Sequence, residues 1–304
     1  MSGKEQGSQH SNFFVQRIIK RICLQLTLLF LLPVTTMLAP FTAQAKITLT
    51  FGTYTADIST EVVRQFRPIL TVLEKSLQAK LGEPVHIKMQ VTSTYDQGIE
   101  NLTQGRVDFA RFGPASYVFA KRKNPDIKLL AMENVKGKKT FQGIICVQKD
   151  SNIESLGQLK GKTMAFGSKR STIGRYLAQL HLLESGIKSS DLLSYEYLGR
   201  HDKVGSAVGR KLFDAGALKE STFKKLVAKN VPIKAIFSFN NVTKPWIARA
   251  GLPERIVNSL QESLLEFTDS GALKRLKKSG FSIATPADYE IIEQAINRNE
   301  EFEG

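Results

Sequence analysis

The sequence is poor in cysteine, histidine and tryptophan, with two, four and one of them in 304 residues. Cys23 lies in an N-terminal apolar segment, so Cys146 is the only thiol in the rest of the chain and no internal disulfide is expected. Cys146 sits in an apolar run, which favours a buried and unreactive thiol. His86, His181 and His201 have no metal-ligand spacing to cysteine or to one another. We therefore expect neither a metal nor another cofactor.

The chain also lacks a hydrophobic run long enough to cross a membrane. Its N-terminal apolar segment, Cys23–Leu32, has ten residues before Pro33, too few to span about 30 Å of hydrocarbon. Basic residues precede this segment and small residues follow it, at Arg17, Lys20, Arg21, Ala43 and Ala45. We expect residues 1–45 to be a signal peptide cleaved after Ala45, which makes the mature protein periplasmic. An uncleaved anchor that extends to Leu38 is the alternative.

Acidic residues are scarce relative to basic ones, with 28 against 43 and a net charge of +15. Only four basic residues and one acidic residue belong to the predicted signal peptide, so the mature chain remains strongly basic. The basic residues are spread along the chain, without a zinc-finger spacing or a basic recognition helix, and together with export this argues against a nucleic-acid partner. The charge favours anionic solutes or an anionic membrane surface, with a solvated surface as the alternative.

Short β-rich runs alternate with amphipathic helices, which predicts an α/β fold with mostly parallel sheets covered by helices. Ten runs are predicted as strands, at 47–52, 85–91, 107–112, 129–132, 141–147, 163–166, 195–198, 214–218, 233–239 and 246–249. Apolar spacing predicts helices at 60–81, 99–105, 115–121, 153–159, 172–185, 202–210, 223–229 and 254–267, and a helical tail from 287.

A polar connector, residues 133–140, interrupts this alternation, which then restarts. We therefore expect two α/β lobes, with lobe 1 formed by 46–138 plus 240–304 and lobe 2 by 139–239. The last segment is expected to pack onto lobe 1, so the chain crosses between the lobes twice. Paired crossings form a hinge, and a hinge between two lobes creates a cleft for a ligand.

The segment from Phe166 to Gly174, FGSKRSTIG, lies where a strand is predicted to end and a helix to begin. Backbone N–H groups at a helix start, the hydroxyls of Ser171 and Thr172, and the helix dipole can together bind a phosphate-like anion. The alternative is that one of these hydroxyls only caps the helix.

Further candidates lie at other strand ends. His201 follows a strand and can donate to an anion when protonated, although an isolated histidine is often structural. Tyr54 and Tyr95 lie at the carboxyl ends of predicted strands, where open α/β sheets bind ligands.

Two segments resemble enzyme motifs but do not have the spacing that those motifs require. Residues 157–163, GQLKGKT, have one residue too few for a nucleotide-binding loop and precede a strand. Residues 205–209, GSAVG, place the serine one position too early for a nucleophile elbow. We therefore expect a protein that is not an enzyme.

Several stretches resemble the periplasmic substrate-binding proteins of phosphonate, phosphite and phosphate ABC importers. They are STYDQGIENLTQGRVDFARFGPASYVFA (93–120), FQGIICVQKDSNIESLGQLKGKTMAFGS (141–168), RST (170–172) and YLGRHDKVGSAVGRKLFDAGALKESTF (197–223). The resemblance implies a type-2 periplasmic binding protein, with two α/β lobes, a two-crossing hinge and a ligand cleft between them.

The resemblance also implies a ligand site. Ser171, Thr172, His201 and Tyr95 would hold the anion, and Phe141 stands where many members have a tyrosine. Glu220 is a weaker candidate, for contact with a ligand substituent.

Two positions depart from the family pattern. The family usually has a third hydroxyl after Ser-Thr, and here that place is Ile173. Lys244 stands where members that bind aminoalkyl phosphonates have an acidic residue, which disfavours an ammonium-bearing ligand.

The predicted function is capture of a small tetrahedral oxyanion (phosphonate, phosphite or phosphate) by a monomer that delivers it to an inner-membrane ABC permease. Three alternatives are a ligand-sensing subunit of a membrane receptor with the same fold, a secreted phosphate-ester enzyme, and a basic protein that binds polyanions. The sequence does not decide which oxyanion is the physiological ligand.

Overall fold

The computed structural model describes residues 46–54 and 59–304, and the predicted signal peptide lies outside this part of the chain. Over the described ranges, no helix combines the length and the apolar character needed to cross a membrane. Buried Cys146 matches the sequence prediction, and burial raises the pKa of its thiol to about 12.

The first sheet has six strands in the order β11-β4-β10-β3-β1-β2. They are β1 (Ile47–Tyr54), β2 (Val85–Thr92), β3 (Phe109–Arg111), β4 (Lys128–Asn134), β10 (Pro245–Ala248) and β11 (Gly280–Ser282). Strand β1 pairs in parallel with β2 and β3, whereas β10 and β11 pair antiparallel with their neighbours.

The second sheet has five strands in the order β7-β6-β8-β5-β9. They are β5 (Thr140–Gln148), β6 (Thr163–Phe166), β7 (Ser194–Tyr197), β8 (Ala215–Lys219) and β9 (Ile233–Val242). Strand β6 pairs in parallel with β7 and β8, and β5 pairs antiparallel with β8 and β9.

Both described sheets are mixed. The expectation of mostly parallel strands is confirmed for strand direction, which four of six strands share in the first sheet and four of five in the second, but several neighbouring strands pair antiparallel. Helical connections produce the parallel pairs around β1 and β6. Strands β5 and β10, which carry the chain between the sheets, run against them, whereas β9 pairs antiparallel with β5 and so has the same direction as β6.

The predicted pair of crossings is confirmed. The chain leaves the first sheet after β4 and returns to it through β9 and β10. The two crossing segments are themselves paired, with Thr140 opposite Val242 and Phe141 opposite Asn241. Two adjacent strands therefore join the two halves of the molecule, which is the architecture of a hinge.

Ten α-helices cover the sheets in the described part of the chain. They are α1 (Ser59–Leu81), α2 (Tyr95–Thr103), α3 (Pro114–Lys123), α4 (Ala178–Glu184), α5 (His201–Gly209), α6 (Glu220–Val227), α7 (Glu254–Leu265), α8 (Ser270–Leu276), α9 (Glu290–Asn297) and α10 (Asn299–Glu303). The apolar face of α1 is buried against the first sheet, where Phe66 and Phe51 surround the fully buried Trp246.

Four elements differ from the sequence prediction. The helix expected at 153–159 is only a 3₁₀ turn, Leu156–Leu159. The helix expected at 172–185 begins as a π-helical turn, Thr172–Leu177, before α4. Helix α8 and strand β11 were not predicted, because segments this short carry too little periodicity to be detected.

The C-terminal helices contact both halves of the molecule. Helix α9 packs against α3 and the π-helical turn, and α10 packs against α4. Arg175 of the π-helical turn contacts Asn299 and Glu303, both at 2.5 Å. The lobe boundaries remain a prediction. The last helix, α10, was assigned to lobe 1 but packs against α4, which belongs to the segment predicted as lobe 2.

Candidate ligand-binding site

The segment between β6 and the π-helical turn is held by a close approach of two glycines. The Gly167 N–H donates to the Gly174 carbonyl at 2.7 Å. Ser171 caps the turn, since its Oγ accepts from the Gly174 N–H at 3.0 Å. Ser171 and Thr172 are 5% and 7% exposed, so their hydroxyls point into the protein rather than into solvent.

The side chain of Thr172 reaches the other half of the molecule. Its Oγ1 accepts from the Ala115 N–H, at the start of α3, at 3.0 Å. A hydroxyl that accepts one bond still has its own O–H to donate. Ser171 and Thr172 therefore each cap a backbone N–H and retain a proton for a ligand.

A cavity of about 30 Å³, the small cavity, lies beside these hydroxyls and is lined by residues from both halves. It brings together six of the seven predicted site residues: Tyr54, Tyr95, Phe141, Ser171, Thr172 and His201. The rest of its lining consists of Gly113, Pro114, Ile173, Lys219, Asn241 and Lys244.

His201 begins helix α5 and is 9% exposed. Its Nδ1 atom is buried and has no hydrogen-bond partner among the described residues. Burial lowers the pKa of His201 well below its ordinary value, and the charges of Lys219 and Lys244 act in the same direction. The lowered pKa favours the neutral imidazole. A protonated ligand oxygen beside Nδ1 would restore the missing hydrogen bond.

Two lysines give the small cavity its charge. Burial lowers the pKa of Lys244 well below its ordinary value, and the nearby charges of Arg111 and Lys219 lower it further. Asn241, 2% exposed, has a buried Oδ1 without a partner in the described part of the chain. The lysine ammonium groups are costly to bury and would be stabilised by a bound anion, whereas Asn241 Oδ1 can accept only from a protonated ligand oxygen.

The predicted aromatic residues have distinct places. The Tyr54 Oη donates to Ser116 Oγ at 2.9 Å and accepts from the Gly113 N–H at 2.5 Å. Its ring stacks on Tyr95, with centroids 4.2 Å apart. In this arrangement the Tyr54 hydroxyl positions the turn before α3, and its proton is already donated. Phe141 contributes an apolar wall to the small cavity.

Glu220 does not line the small cavity. It lines a neighbouring space of about 500 Å³, the large cavity, and its carboxylate pairs with Lys224 at 2.5 Å. Phe141, His201, Lys219 and Lys244 line both cavities, so the two are contiguous.

Sequence reasoning missed Lys219 and Asn241 as candidate site residues. Lys219 is the last residue of β8, a strand-end position that could have been noted. Asn241 lies within the second crossing, and only its pairing with Phe141 brings it to the small cavity.

Replacing Gly174 by alanine is expected to destabilise the fold and distort the site. The added Cβ would lie 2.8 Å from Gly167 Cα and 3.1 Å from Ser171 Oγ. Overpacking of this kind costs about 1–3 kcal/mol. Chemical denaturation measures the effect, with Gly157→Ala as the control, since no atom lies within 4 Å of its added Cβ. Equal stability of the two variants would contradict the described contact.

Two mixed α/β sheets, two adjacent crossings and a hydroxyl-lined cavity between the halves define a type-2 periplasmic binding protein. A family model described as "ABC transporter, phosphonate, periplasmic substrate-binding protein" matches residues 51–289. The chain belongs to this family and is the solute-binding component of an ABC transporter.

Relatives and solved structures agree with this assignment. The chain is 23% identical over 225 residues to the phosphate-import protein PhnD of Mycolicibacterium smegmatis, covering 66% of this chain and 68% of that protein. PhnD1 from Prochlorococcus marinus, solved in complex with methylphosphonate, is similar with a TM-score of 0.71 and 21% identity, over 84% of this chain and 98% of that one. XAC2383 from Xanthomonas citri, bound to chloride, gives a TM-score of 0.70 and 22% identity over the same shares.

Proposed function

We propose that this protein binds a small tetrahedral oxyanion (phosphonate, phosphite or phosphate) in the small cavity and delivers it to an inner-membrane ABC permease. The observation that carries the proposal is the set of buried polar atoms at one point: the hydroxyls of Ser171 and Thr172 and the unpartnered Nδ1 of His201. Lys219 and Lys244 line the same cavity, and a bound anion would favour their charged forms. The methylphosphonate complex of the Prochlorococcus protein and the name of the Mycolicibacterium relative support the same ligand class.

We assign direct contacts with the anion to Ser171, Thr172, His201 and Tyr95. Tyr54 and Phe141 would shape the cavity wall, and Glu220 would meet only a substituent that extends into the large cavity. Ile173, 2% exposed, gives the small cavity an apolar wall where the family usually has a third hydroxyl. This wall suits an alkyl or hydrogen substituent on phosphorus better than a fourth oxygen.

In this proposal the protein binds its ligand without changing it chemically and acts as a monomer. It works in the periplasm after the signal peptide is cleaved after Ala45. Closure of the two halves would bury the anion and create the surface that the permease recognises. Two contacts would hold the halves together in the closed form. They are the hydrogen bond from the Ala115 N–H to Thr172 Oγ1 and the ion pair of Arg170 with Asp96 at 2.9 Å.

A ligand panel tests the proposal. Methylphosphonate, phosphite and phosphate should raise the melting temperature of the 46–304 protein and give saturable heats in calorimetry. Sulfate and methanesulfonate, which present no ionisable proton to His201 at neutral pH, should bind more weakly. If none of the three phosphorus anions binds while a sulfonate does, the proposed ligand class is wrong.

A further inference from the structure

The large cavity has an unusual charge. Seven cationic side chains and two carboxylates line it. Both carboxylates are already paired with cations outside the lining, Asp202 with Arg200 and Glu220 with Lys224, each at 2.5 Å. The side chains that line the large cavity therefore carry an excess of positive charge.

Besides Lys219 and Lys244, which also line the small cavity, the cations of the large cavity form two groups. Arg111 and Lys278 share the buried carboxylate of Glu133. Lys225, Lys229 and Lys277 form no ion pair with any residue that the structure describes. These three lysines are available for an external anion.

The lysines converge from opposite sides of the cleft. Lys225 and Lys229 lie on and just after α6, which covers the second sheet, and Lys277 directly follows α8, which packs on α1 of the first half. Lys277 also has a left-handed backbone, with φ of 60°, at a helix end where glycine is usual.

We propose that the physiological ligand carries a second anionic group, which Lys225, Lys229 and Lys277 hold in the large cavity while the phosphorus oxyanion occupies the small one. This inference rests on the proposed function and narrows its ligand class to phosphonates or phosphate esters with an additional carboxylate or phosphate. The shared lining of the two cavities, including Lys219 and His201, makes one continuous site for such a ligand. An ammonium group on the ligand would find no unpaired carboxylate in the large cavity, because Glu220 already forms an ion pair with Lys224.

Matched pairs of ligands test the inference in the 46–304 protein. Phosphonoacetate and phosphonopropionate should bind roughly tenfold or more tightly than ethylphosphonate and propylphosphonate, which have the same length without the second charge. In the double variant Lys225→Gln/Lys277→Gln this advantage should disappear, while methylphosphonate affinity stays within about twofold. Lys203→Gln is the control for loss of a lysine charge outside the site, since this exposed lysine of α5 lines neither cavity.

The outcomes separate this inference from the proposed function. Equal binding of carboxylated and alkyl phosphonates, or tighter binding of aminoethylphosphonate, overturns the second anion site while the oxyanion site stands. An advantage that survives in the double variant also overturns it. Failure of methylphosphonate, phosphite and phosphate alike to bind the unmodified protein counts against the proposed function itself.

Discussion

Replacing Ser171 by alanine and Thr172 by valine together is expected to abolish detectable binding of small phosphorus oxyanions. Each hydroxyl would donate a charge-assisted hydrogen bond in a buried site, worth about 1.5–3 kcal/mol. Loss of both weakens affinity by roughly 3–6 kcal/mol, a factor of a hundred to several tens of thousands. Calorimetry with methylphosphonate measures the change.

Three controls separate lost donors from a damaged fold. Thr172→Ser keeps the hydroxyl that accepts from the Ala115 N–H and should retain most of the affinity. Ser168→Ala removes a hydroxyl that lies three residues before Ser171, accepts from the Arg170 N–H and does not line the small cavity. The double variant should keep a cooperative melting transition. Undiminished binding by a folded double variant would remove Ser171 and Thr172 from the site.

Replacing Glu133 by glutamine is expected to cause the largest loss of stability. The Glu133 carboxylate, 0% exposed, accepts from Arg111 Nε at 2.7 Å, from Arg111 Nη2 at 2.9 Å and from Trp246 Nε1 at 3.4 Å, and pairs with Lys278 at 3.2 Å. Removing its charge leaves buried cations without a partner, at a cost of about 3–5 kcal/mol. At about 2–4 °C per kcal/mol, the melting temperature should fall by roughly 10 °C.

The pH dependence of stability gives a second readout for Glu133. Burial alone would raise the pKa of its carboxyl, but the charges of Arg111 and Lys278 outweigh burial and lower the pKa to about 2. A lowered pKa means that the stabilisation, about 3 kcal/mol, is complete above pH 4.5 and is lost as the pH falls towards 2.

Glu133→Gln should therefore lose stability less steeply than the unmodified protein between these pH values. The control is Glu301→Gln, which breaks the exposed pair with Arg298 and should cost less than about 1 kcal/mol. Parallel acid unfolding curves for Glu133→Gln and the unmodified protein would show that Glu133 is not the titrating group.

Much of the fold was predictable because its driving forces are local. The apolar spacing along α1 and the β-branched runs of β1 and β5 specify their elements directly. Which neighbouring strands pair antiparallel was not predictable in the same way. Whether a strand runs parallel or antiparallel depends on which sheet the chain enters after each crossing, and only long-range contacts decide that.

The site was predictable where chemistry and position coincide. Ser171, Thr172 and His201 lie at strand-to-helix junctions, so local sequence already identified them as donors near a strand end. The positions of Asn241 and Glu220 relative to the two cavities depend on contacts between segments that are distant in the sequence. Pairing of the two crossings brings Asn241 to the small cavity, and the position of Glu220 at the start of α6 turns it towards the large one.

A crystal structure of the 46–304 protein grown with methylphosphonate would show where the ligand binds. We expect the phosphonate in the small cavity, with its oxygens within hydrogen-bond distance of Ser171 Oγ, Thr172 Oγ1 and His201 Nδ1 and its methyl group free of hydrogen bonds. Phosphonate bound elsewhere, with these three atoms still unengaged by ligand, would contradict this expectation.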